Sequence, residues 1–169
     1  MTTTLNAQER DPENTLIMEL ESGEVVIELR PDLAPKHAAR LKELSREGFY
    51  DDVVFHRVID GFMAQTGDPT GTGRGGSDKP DLPAEFTREE SFQRGTIGMA
   101  RTADPNSANS QFFINFVPTP HLDGQYTIVG QVVDGMEHVD QLAKGEPPRN
   151  PDKIVSMRVA GDGEGNGSN

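Results

Sequence analysis

The sequence contains no cysteine and no tryptophan, and its basic residues are outnumbered by acidic ones. Without cysteine, the chain has no disulfides, no thiolate nucleophiles and no cysteine-based zinc sites. The 16 Lys and Arg residues against 28 Asp and Glu residues give a formal net charge of −12, which disfavours binding to phosphate backbones and anionic membranes. We therefore expect no nucleic-acid partner and no membrane partner.

Long apolar runs are also absent. No stretch approaches the roughly 18 apolar residues that a membrane-spanning helix needs. The opening residues, MTTTLNAQERDPENT, have neither the basic region nor the apolar segment of a signal peptide. The sequence therefore favours a cytoplasmic location, and because no pattern indicates an additional interface, we expect a monomer.

Glycine and proline, by contrast, are abundant, with 18 and 12 residues, which is typical of a β-rich chain with many turns. Short β-like runs recur between them, and Ser22-Gly23 indicates a hairpin between the first two. The eight predicted strands cover residues 15–20, 24–30, 53–58, 61–66, 96–100, 111–116, 126–133 and 153–159.

Two segments have helical periodicity instead. The first lies between Asp32, the predicted N-cap, and Gly48, the predicted stop, and its periodic positions are Leu33, His37, Leu41 and Leu44. The second ends at Gly145, and its periodic positions are Met136, Val139 and Leu142.

Eight strands and two helices predict a mainly β fold, a closed eight-stranded antiparallel β-barrel capped by two α-helices. We assign this domain to residues 14–160, with a flexible N-terminal tail over 1–13 and a flexible C-terminal tail over 161–169, where apolar patterning is missing. Residues 67–95 and 101–110 read as long loops, which are usually functional in compact domains.

Three motifs suggest other functions, and each has a simpler interpretation. Residues 71–76 match G-x-G-x-x-G, but a dinucleotide site requires a helix directly after this motif. The segment that follows, SDKPDLPAEF, has two prolines and no helical periodicity. The four histidines lack the paired spacing of zinc ligands, so we expect no metal and no cofactor. Ser110 lacks the glycines of a nucleophile elbow, which makes a serine hydrolase a weak alternative.

Arg57 is harder to explain structurally, because it interrupts the apolar strand in FHRVIDGFMAQTGDP. A charge on a half-buried strand is costly without a partner, and an ordinary strand arginine would pair with a distant acid. Aromatic and amide side chains recur nearby in the sequence and in two later clusters around Phe113 and Tyr126. Apolar walls with a few fixed polar groups are typical of a small-molecule or side-chain pocket.

Three stretches carry a resemblance to a known family: FYDDVVFHRVIDGFMAQTGDPTGTG, GTIGMARTADPNSANSQFFINF and LDGQYTIVGQVVDGMEHVDQL. They closely resemble the cyclophilin family of peptidyl-prolyl cis-trans isomerases, from about Asn14 to Val159, and are most similar to its single-domain bacterial branch. The resemblance implies a protein that accelerates rotation about X–Pro bonds and acts on proline-containing peptides and on unfolded or folding proteins.

The resemblance also implies the role of each site residue. Arg57 matches the catalytic arginine, and Ala100 and Arg101 match the strand edge that holds the substrate backbone. The matches to the walls of the proline pocket are Phe62, Met63, Phe113 and Leu122, and those to its polar contacts are Gln65 and Gln111.

Three positions depart from the best-known family pattern. His121 stands where many members carry a tryptophan that contributes to cyclosporin binding, so weakened affinity for this inhibitor is expected. Tyr126 replaces a frequent histidine and keeps an aromatic wall with a polar tip. Arg101 replaces a frequent asparagine, and we expect only its backbone to matter. The alternative to catalysis is a proline-peptide binding module or chaperone with incidental isomerase activity.

Overall fold

Eight antiparallel strands form one continuous sheet in the computed structural model, which describes residues 11–162. In space the strands follow the order β3-β4-β6-β5-β7-β2-β1-β8. Each predicted strand overlaps an observed strand, with shorter bounds in most cases, although residues 53–56 of the third lie before the strand and not in it. The strands are β1 (Thr15–Leu20), β2 (Gly23–Leu29), β3 (Arg57–Ile59), β4 (Met63–Thr66), β5 (Thr96–Met99), β6 (Phe112–Asn115), β7 (Ile128–Asp134) and β8 (Ser156–Val159).

The predicted closed barrel is wrong in one respect, because the edge strands β3 and β8 do not pair with each other. The free edge of β3 is taken by a loop instead: Val58 N donates to Gly145 O at 2.8 Å, and Gly145 N donates to Val58 O at 2.7 Å. An isolated bridge between Val54 and Lys153 joins the segments that precede the two edge strands. The sheet is therefore a curled half-barrel that is not closed, and the loop at Gly145 lies along the edge of β3 where β8 would pair.

The two predicted helices are observed as α1 (Pro35–Arg46) and α2 (Met136–Asp140). Asp32 is not the N-cap of α1, since its carboxylate pairs with Arg30 at 2.9 Å and the helix begins only at Pro35. The carboxylate of Glu85 serves this helix end, accepting from the backbone N–H groups of Lys36 at 3.1 Å and His37 at 3.0 Å. Among residues 11–162, neither helix has the length and apolar character that crossing a bilayer requires.

The sheet encloses a main core and leaves a smaller apolar cluster at one end. The main core includes Tyr50, Phe55 and Phe112, each fully buried. The smaller cluster consists of Met63, Phe92, Phe113, Leu122 and Ile128. Met63, Phe113 and Leu122 of this cluster border the same cavity as Arg57, so this cluster is where a site would form.

The predicted tails fall mostly outside the described residues. Pro12–Asn14 form a short 3-10 turn within the range assigned to the N-terminal tail. At the other end, Asp162 pairs with Arg46 of α1 at 2.6 Å. Residues 1–10 and 163–169 lie outside the described part of the chain, and the assignment of a domain to residues 14–160 stays a prediction.

Candidate active site

Strand register places the main site residues in one row across the sheet. Arg57 of β3 lies opposite Gln65 of β4, and Gln65 lies opposite Phe113 of β6. Phe113 in turn lies opposite Gly98 of β5. A Cβ at Gly98 would come within 2.5 Å of the Phe113 ring, so the missing side chain makes room for that ring. The row therefore runs from a cation through an amide to an aromatic wall.

A cavity of about 140 Å³ opens beside this row. Met63 and Phe113 form its deepest walls, with only 2% and 4% of their surface exposed. The cavity brings together nine of the eleven residues predicted for the site. They are Arg57, Phe62, Met63, Gln65, Ala100, Arg101, Phe113, Leu122 and Tyr126.

The aromatic walls are held by further aromatic contacts. The Tyr126 ring meets Phe113 edge-on with centroids 5.7 Å apart, a favourable geometry for aromatic pairs. Phe92 stacks on Phe113, also with centroids 5.7 Å apart, and is fully buried. Sequence reasoning missed Phe92, because it stands alone in the polar segment EESFQRG and has no apolar periodicity around it.

The remaining two predicted residues lie beside this cavity and not in it. Gln111 lines a second cavity, of about 490 Å³, which shares Gln65, Ala100 and Arg101 with the first. His121 is exposed and lines neither cavity, but its ring stacks on Phe62 with centroids 6.2 Å apart. The two cavities thus form adjoining depressions separated by the residues that they share.

A chain of hydrogen bonds fixes the polar side of the site. Arg57 Nη1 donates to Gln65 Oε1 at 3.4 Å, and Gln65 Nε2 donates to Gln111 Oε1 at 2.9 Å. Gln111 Nε2 then donates to the carbonyls of Gly73 at 3.0 Å and Gly75 at 2.9 Å. The side-chain amides of Gln65 and Gln111 are therefore held in a fixed orientation between the glycine-rich loop and the Arg57 guanidinium.

Arg57 also has a distant acidic partner, as the structural interpretation of a strand arginine predicts, although the sequence did not indicate which acid it is. Its Nε donates to the Glu146 carboxylate at 2.6 Å. The two residues are 89 positions apart, and Glu146 lies in the loop segment KGEPPRN, which carries no signal that would connect it to β3.

Arg101 uses its side chain as well as its backbone. Its guanidinium donates to the Gln125 carbonyl through Nε at 3.0 Å and Nη2 at 2.7 Å. The guanidinium carbon lies 4.6 Å from the centre of the Tyr126 ring, within cation–π range. Arg101 thus braces Tyr126 from outside, a contact that the expectation of a backbone-only role did not include.

The loop that contains the G-x-G-x-x-G match surrounds the carboxylate of Asp68, an anion supplied by the protein itself. The buried Asp68 carboxylate accepts from the backbone N–H groups of Thr70 at 2.8 Å, Gly73 at 2.6 Å and Gly75 at 3.0 Å. Burial alone would raise the pKa of Asp68, but the hydrogen bonds from Gly75, Thr70 and Gly73 outweigh it and hold the pKa well below its usual range. The loop therefore binds a carboxylate of its own chain where a dinucleotide site would bind phosphate.

The other candidate groups are placed for structural roles. The Ser110 hydroxyl is fully buried and donates to the Gly67 carbonyl at 2.7 Å, so it is not presented as a nucleophile. His37 and His56 are buried, and burial lowers the pKa of each imidazole. Within residues 11–162, no group of three or more His, Asp or Glu side chains is arranged to hold a metal ion.

A comparison with protein families gives a match that covers most of the chain. The model described as cyclophilin type peptidyl-prolyl cis-trans isomerase/CLD matches residues 15–159. A protein of Brucella suis biovar 1 named probable peptidyl-prolyl cis-trans isomerase is 55% identical over 92% of this chain and 87% of its own. Peptidyl-prolyl cis-trans isomerase-like 1 of Aspergillus oryzae is 39% identical over 84% and 92% of the two chains.

Solved structures give the same result. A cyclophilin from Hirschia baltica superposes with a TM-score of 0.84 at 29% identity, covering 96% of this chain and 81% of its own. A cyclophilin-type isomerase of Cryptosporidium parvum, crystallised in the presence of the dipeptide ala-pro, gives a TM-score of 0.80 at 31% identity, covering 86% and 98%.

Proposed function

This chain belongs to the cyclophilin family of peptidyl-prolyl cis-trans isomerases, and on that premise we propose that Arg57 is its catalytic residue. The isomerase activity itself follows from the family match over residues 15–159 and from the relative that is 55% identical. The assignment of residues rests on one observation: the Arg57 guanidinium borders the same cavity as the buried walls Met63 and Phe113. That cavity would hold the proline ring of the substrate.

The reaction needs electrostatic help and no bond cleavage. Rotation about an X–Pro bond faces a barrier of roughly 18–20 kcal/mol, because the amide loses its resonance as it twists. In the twisted state the proline nitrogen becomes pyramidal and regains a lone pair. A donor aimed at this nitrogen or at the carbonyl oxygen is needed more then than in the planar ground state, which lowers the barrier.

Arg57 suits this task by charge and by geometry. A guanidinium is charged at every physiological pH and holds its donors in a rigid fork. Within residues 11–162, Arg57 uses Nε toward Glu146 and Nη1 toward Gln65, which leaves Nη2 for the substrate. The apolar walls would lower the local dielectric and strengthen this contact. About 7 kcal/mol of differential binding would give about 10⁵-fold acceleration.

The substrate class follows from the family and from the cavity. Cyclophilins bind proline-containing peptides, and the Cryptosporidium parvum relative was crystallised in the presence of ala-pro. We propose that the natural substrates are unfolded or folding proteins, with the proline ring against Phe113 and the preceding residues along Ala100 and Arg101. Weakened cyclosporin binding, the monomeric state and the cytoplasmic location stay predictions.

An exchange experiment on a short X–Pro peptide tests the activity directly. With the protein at catalytic concentration, we expect NMR exchange cross-peaks between the cis and trans forms on a timescale of milliseconds to seconds. Without protein the forms interconvert over tens to hundreds of seconds, too slowly for such cross-peaks. Line broadening with no increase in the exchange rate would indicate a binding module and would overturn the proposal. Mass spectra of the peptide should show only the intact peptide, whereas cleavage products would support the alternative of a serine hydrolase built on Ser110.

The rate of isomerisation should be nearly constant from pH 6 to 8. Arg57 keeps its charge over this range. Burial lowers the pKa of His56, the imidazole adjacent to Arg57 in sequence, so this group takes up less proton between pH 8 and 6 than an ordinary imidazole would. The measurement is kcat/KM for an X–Pro peptide at several pH values. A rate that changes over this range with a single midpoint would implicate a histidine in catalysis.

A further inference from the structure

We propose that Glu146 is a positioning residue, which orients the Arg57 guanidinium for catalysis by accepting a hydrogen bond from its Nε. This inference rests on the proposed role of Arg57. The contact is short, 2.6 Å between Nε and Oε2, whereas the other hydrogen bond of the guanidinium, to Gln65, is 3.4 Å long. Glu146 is therefore the stronger of the two restraints on the position of the guanidinium.

The two restraints act on different parts of the guanidinium. Glu146 binds Nε, at the base of the fork, and Gln65 binds Nη1, at one tip. A planar group held at two of its three nitrogens cannot rotate freely about its last side-chain bonds. The third nitrogen, Nη2, is thereby presented in a fixed direction, and fixed donors are what electrostatic catalysis requires.

The backbone supports this pairing on the Glu146 side. Gly145, the residue before Glu146, exchanges two backbone hydrogen bonds with Val58, the residue after Arg57, at 2.8 and 2.7 Å. Gly145 has a φ of 147°, which side-chain-bearing residues rarely adopt, so glycine allows the loop to lie against β3. The neighbours of both partners are therefore joined directly, and the carboxylate is delivered to Nε by the same loop that occupies the edge of the sheet.

The pair contributes to position and little to stability. The side chains of Arg57 and Glu146 are 38% and 57% exposed, and ion pairs with that exposure add little to the free energy of unfolding. Substitution of Glu146 should therefore leave the melting temperature unchanged. This separation makes a positioning role measurable, since a loss of rate would not be a loss of fold.

The test compares Glu146→Ala and Glu146→Gln with wild type in the X–Pro exchange assay. We expect Glu146→Ala to lower kcat by about three- to tenfold with KM changed less than twofold, because small misplacements of a catalytic group have large effects on rate. Glu146→Gln keeps an acceptor oxygen and should lose less than twofold. Glu89→Ala, which removes the same charge from an exposed loop position, is the matched control and should match wild type.

Two further measurements separate this inference from the proposed function. In an Arg57→Ala background, Glu146→Ala should cause no additional loss, because its effect acts through the guanidinium. The Nε–Hε NMR signal of Arg57, identified by its absence in Arg57→Ala, should shift in Glu146→Ala and stay near its wild-type position in Glu146→Gln. An inactive Arg57→Ala with a fully active Glu146→Ala would overturn the positioning role alone. An active Arg57→Ala would overturn the proposed function, and an equal loss in Glu146→Gln and Glu146→Ala would show that charge and not position matters.

Discussion

Replacing Arg57 with alanine should lower kcat/KM for isomerisation of a short X–Pro peptide by at least about tenfold. Removal of one preorganised donor from a transition state typically costs about 10²–10³ in rate. The cavity walls remain in the variant and would still bind the proline ring, which is why we set the lower limit at tenfold. The measurement is the NMR exchange rate at saturating and subsaturating peptide, which gives kcat and KM separately.

The fold should survive this substitution, so that the loss can be assigned to chemistry. The Arg57 side chain is 38% exposed, and its acidic partner is more exposed still. Circular dichroism and the melting temperature should match wild type. Arg88→Ala removes the same charge from an exposed position in the loop that precedes β5 and serves as the control. Undiminished turnover in a folded Arg57→Ala protein would contradict the mechanism.

The same variant distinguishes an enzyme from a binding module. A donor needed mainly in the twisted state should change kcat far more than the dissociation constant of the peptide. A binding module would show the reverse, with affinity falling and any residual exchange rate following occupancy. Arg57→Lys adds a second comparison, since lysine keeps the charge but lacks the planar fork, and it should recover only part of the lost rate.

Much of the fold could be predicted because its signals are local. Alternation in residues 24–30 places Val25, Ile27 and Leu29 on one face, and all three are buried. The helical spacing of His37, Leu41 and Leu44 likewise corresponds to the buried face of α1. Such patterns depend only on the period of a strand or helix, so a single sequence is enough to find them.

The sheet edge and the start of α1 could not be predicted from local patterns, because both depend on contacts between residues that are far apart in the sequence. Closure of the barrel depends on whether β3 pairs with β8 or with the loop at Gly145. Both of these segments are separated from β3 by about half of the chain or more, so no local pattern indicates which one pairs with it. The N-cap position of α1 is Ala34, and the first N–H groups of the helix donate instead to Glu85, which no local pattern connects to Lys36. Sequence reasoning chose Asp32 because capping rules consider only adjacent residues.

The residues of the candidate site likewise fall into those that local sequence predicts and those that it does not. Arg57, Phe62, Met63 and Gln65 occur within nine positions, and a hairpin brings them together, so their grouping is a local prediction. Their alignment with Phe113, Leu122 and Tyr126 came from resemblance to a family, which encodes contacts that one sequence does not. Glu146 and Phe92 lie in segments whose sequence indicates nothing about the site, and only the three-dimensional structure reveals them.

The second large effect should come from Asp68, whose removal would release the glycine-rich loop. We expect Asp68→Asn to lower the free energy of unfolding by about 2–3 kcal/mol at pH 7, since hydrogen bonds to a buried charged acceptor are among the stronger ones. Asparagine keeps one acceptor oxygen, but its amide group would face the N–H groups of Gly73 and Gly75, donor against donor. The measurement is urea unfolding, with Asp78→Asn in the same loop, where the side chain is exposed, as the control.

The effect of Asp68 should also depend on pH, in a direction set by its pKa. Because the folded pKa lies below the unfolded value of about 3.9, the carboxylate contributes its full stability above that value. The contribution falls as the pH drops below the unfolded pKa toward the folded one. Wild type and Asp68→Asn should therefore differ most at neutral pH and converge in acid. Equal unfolding midpoints at pH 7 would contradict this role, and a difference in stability that widens in acid would mean that the pKa of Asp68 is raised.

Asp68→Asn should also reduce the rate of isomerisation. Gln111 donates to the carbonyls of Gly73 and Gly75 and accepts from Gln65, so a loop loosened by the substitution would disturb the hydrogen bonds that orient Arg57.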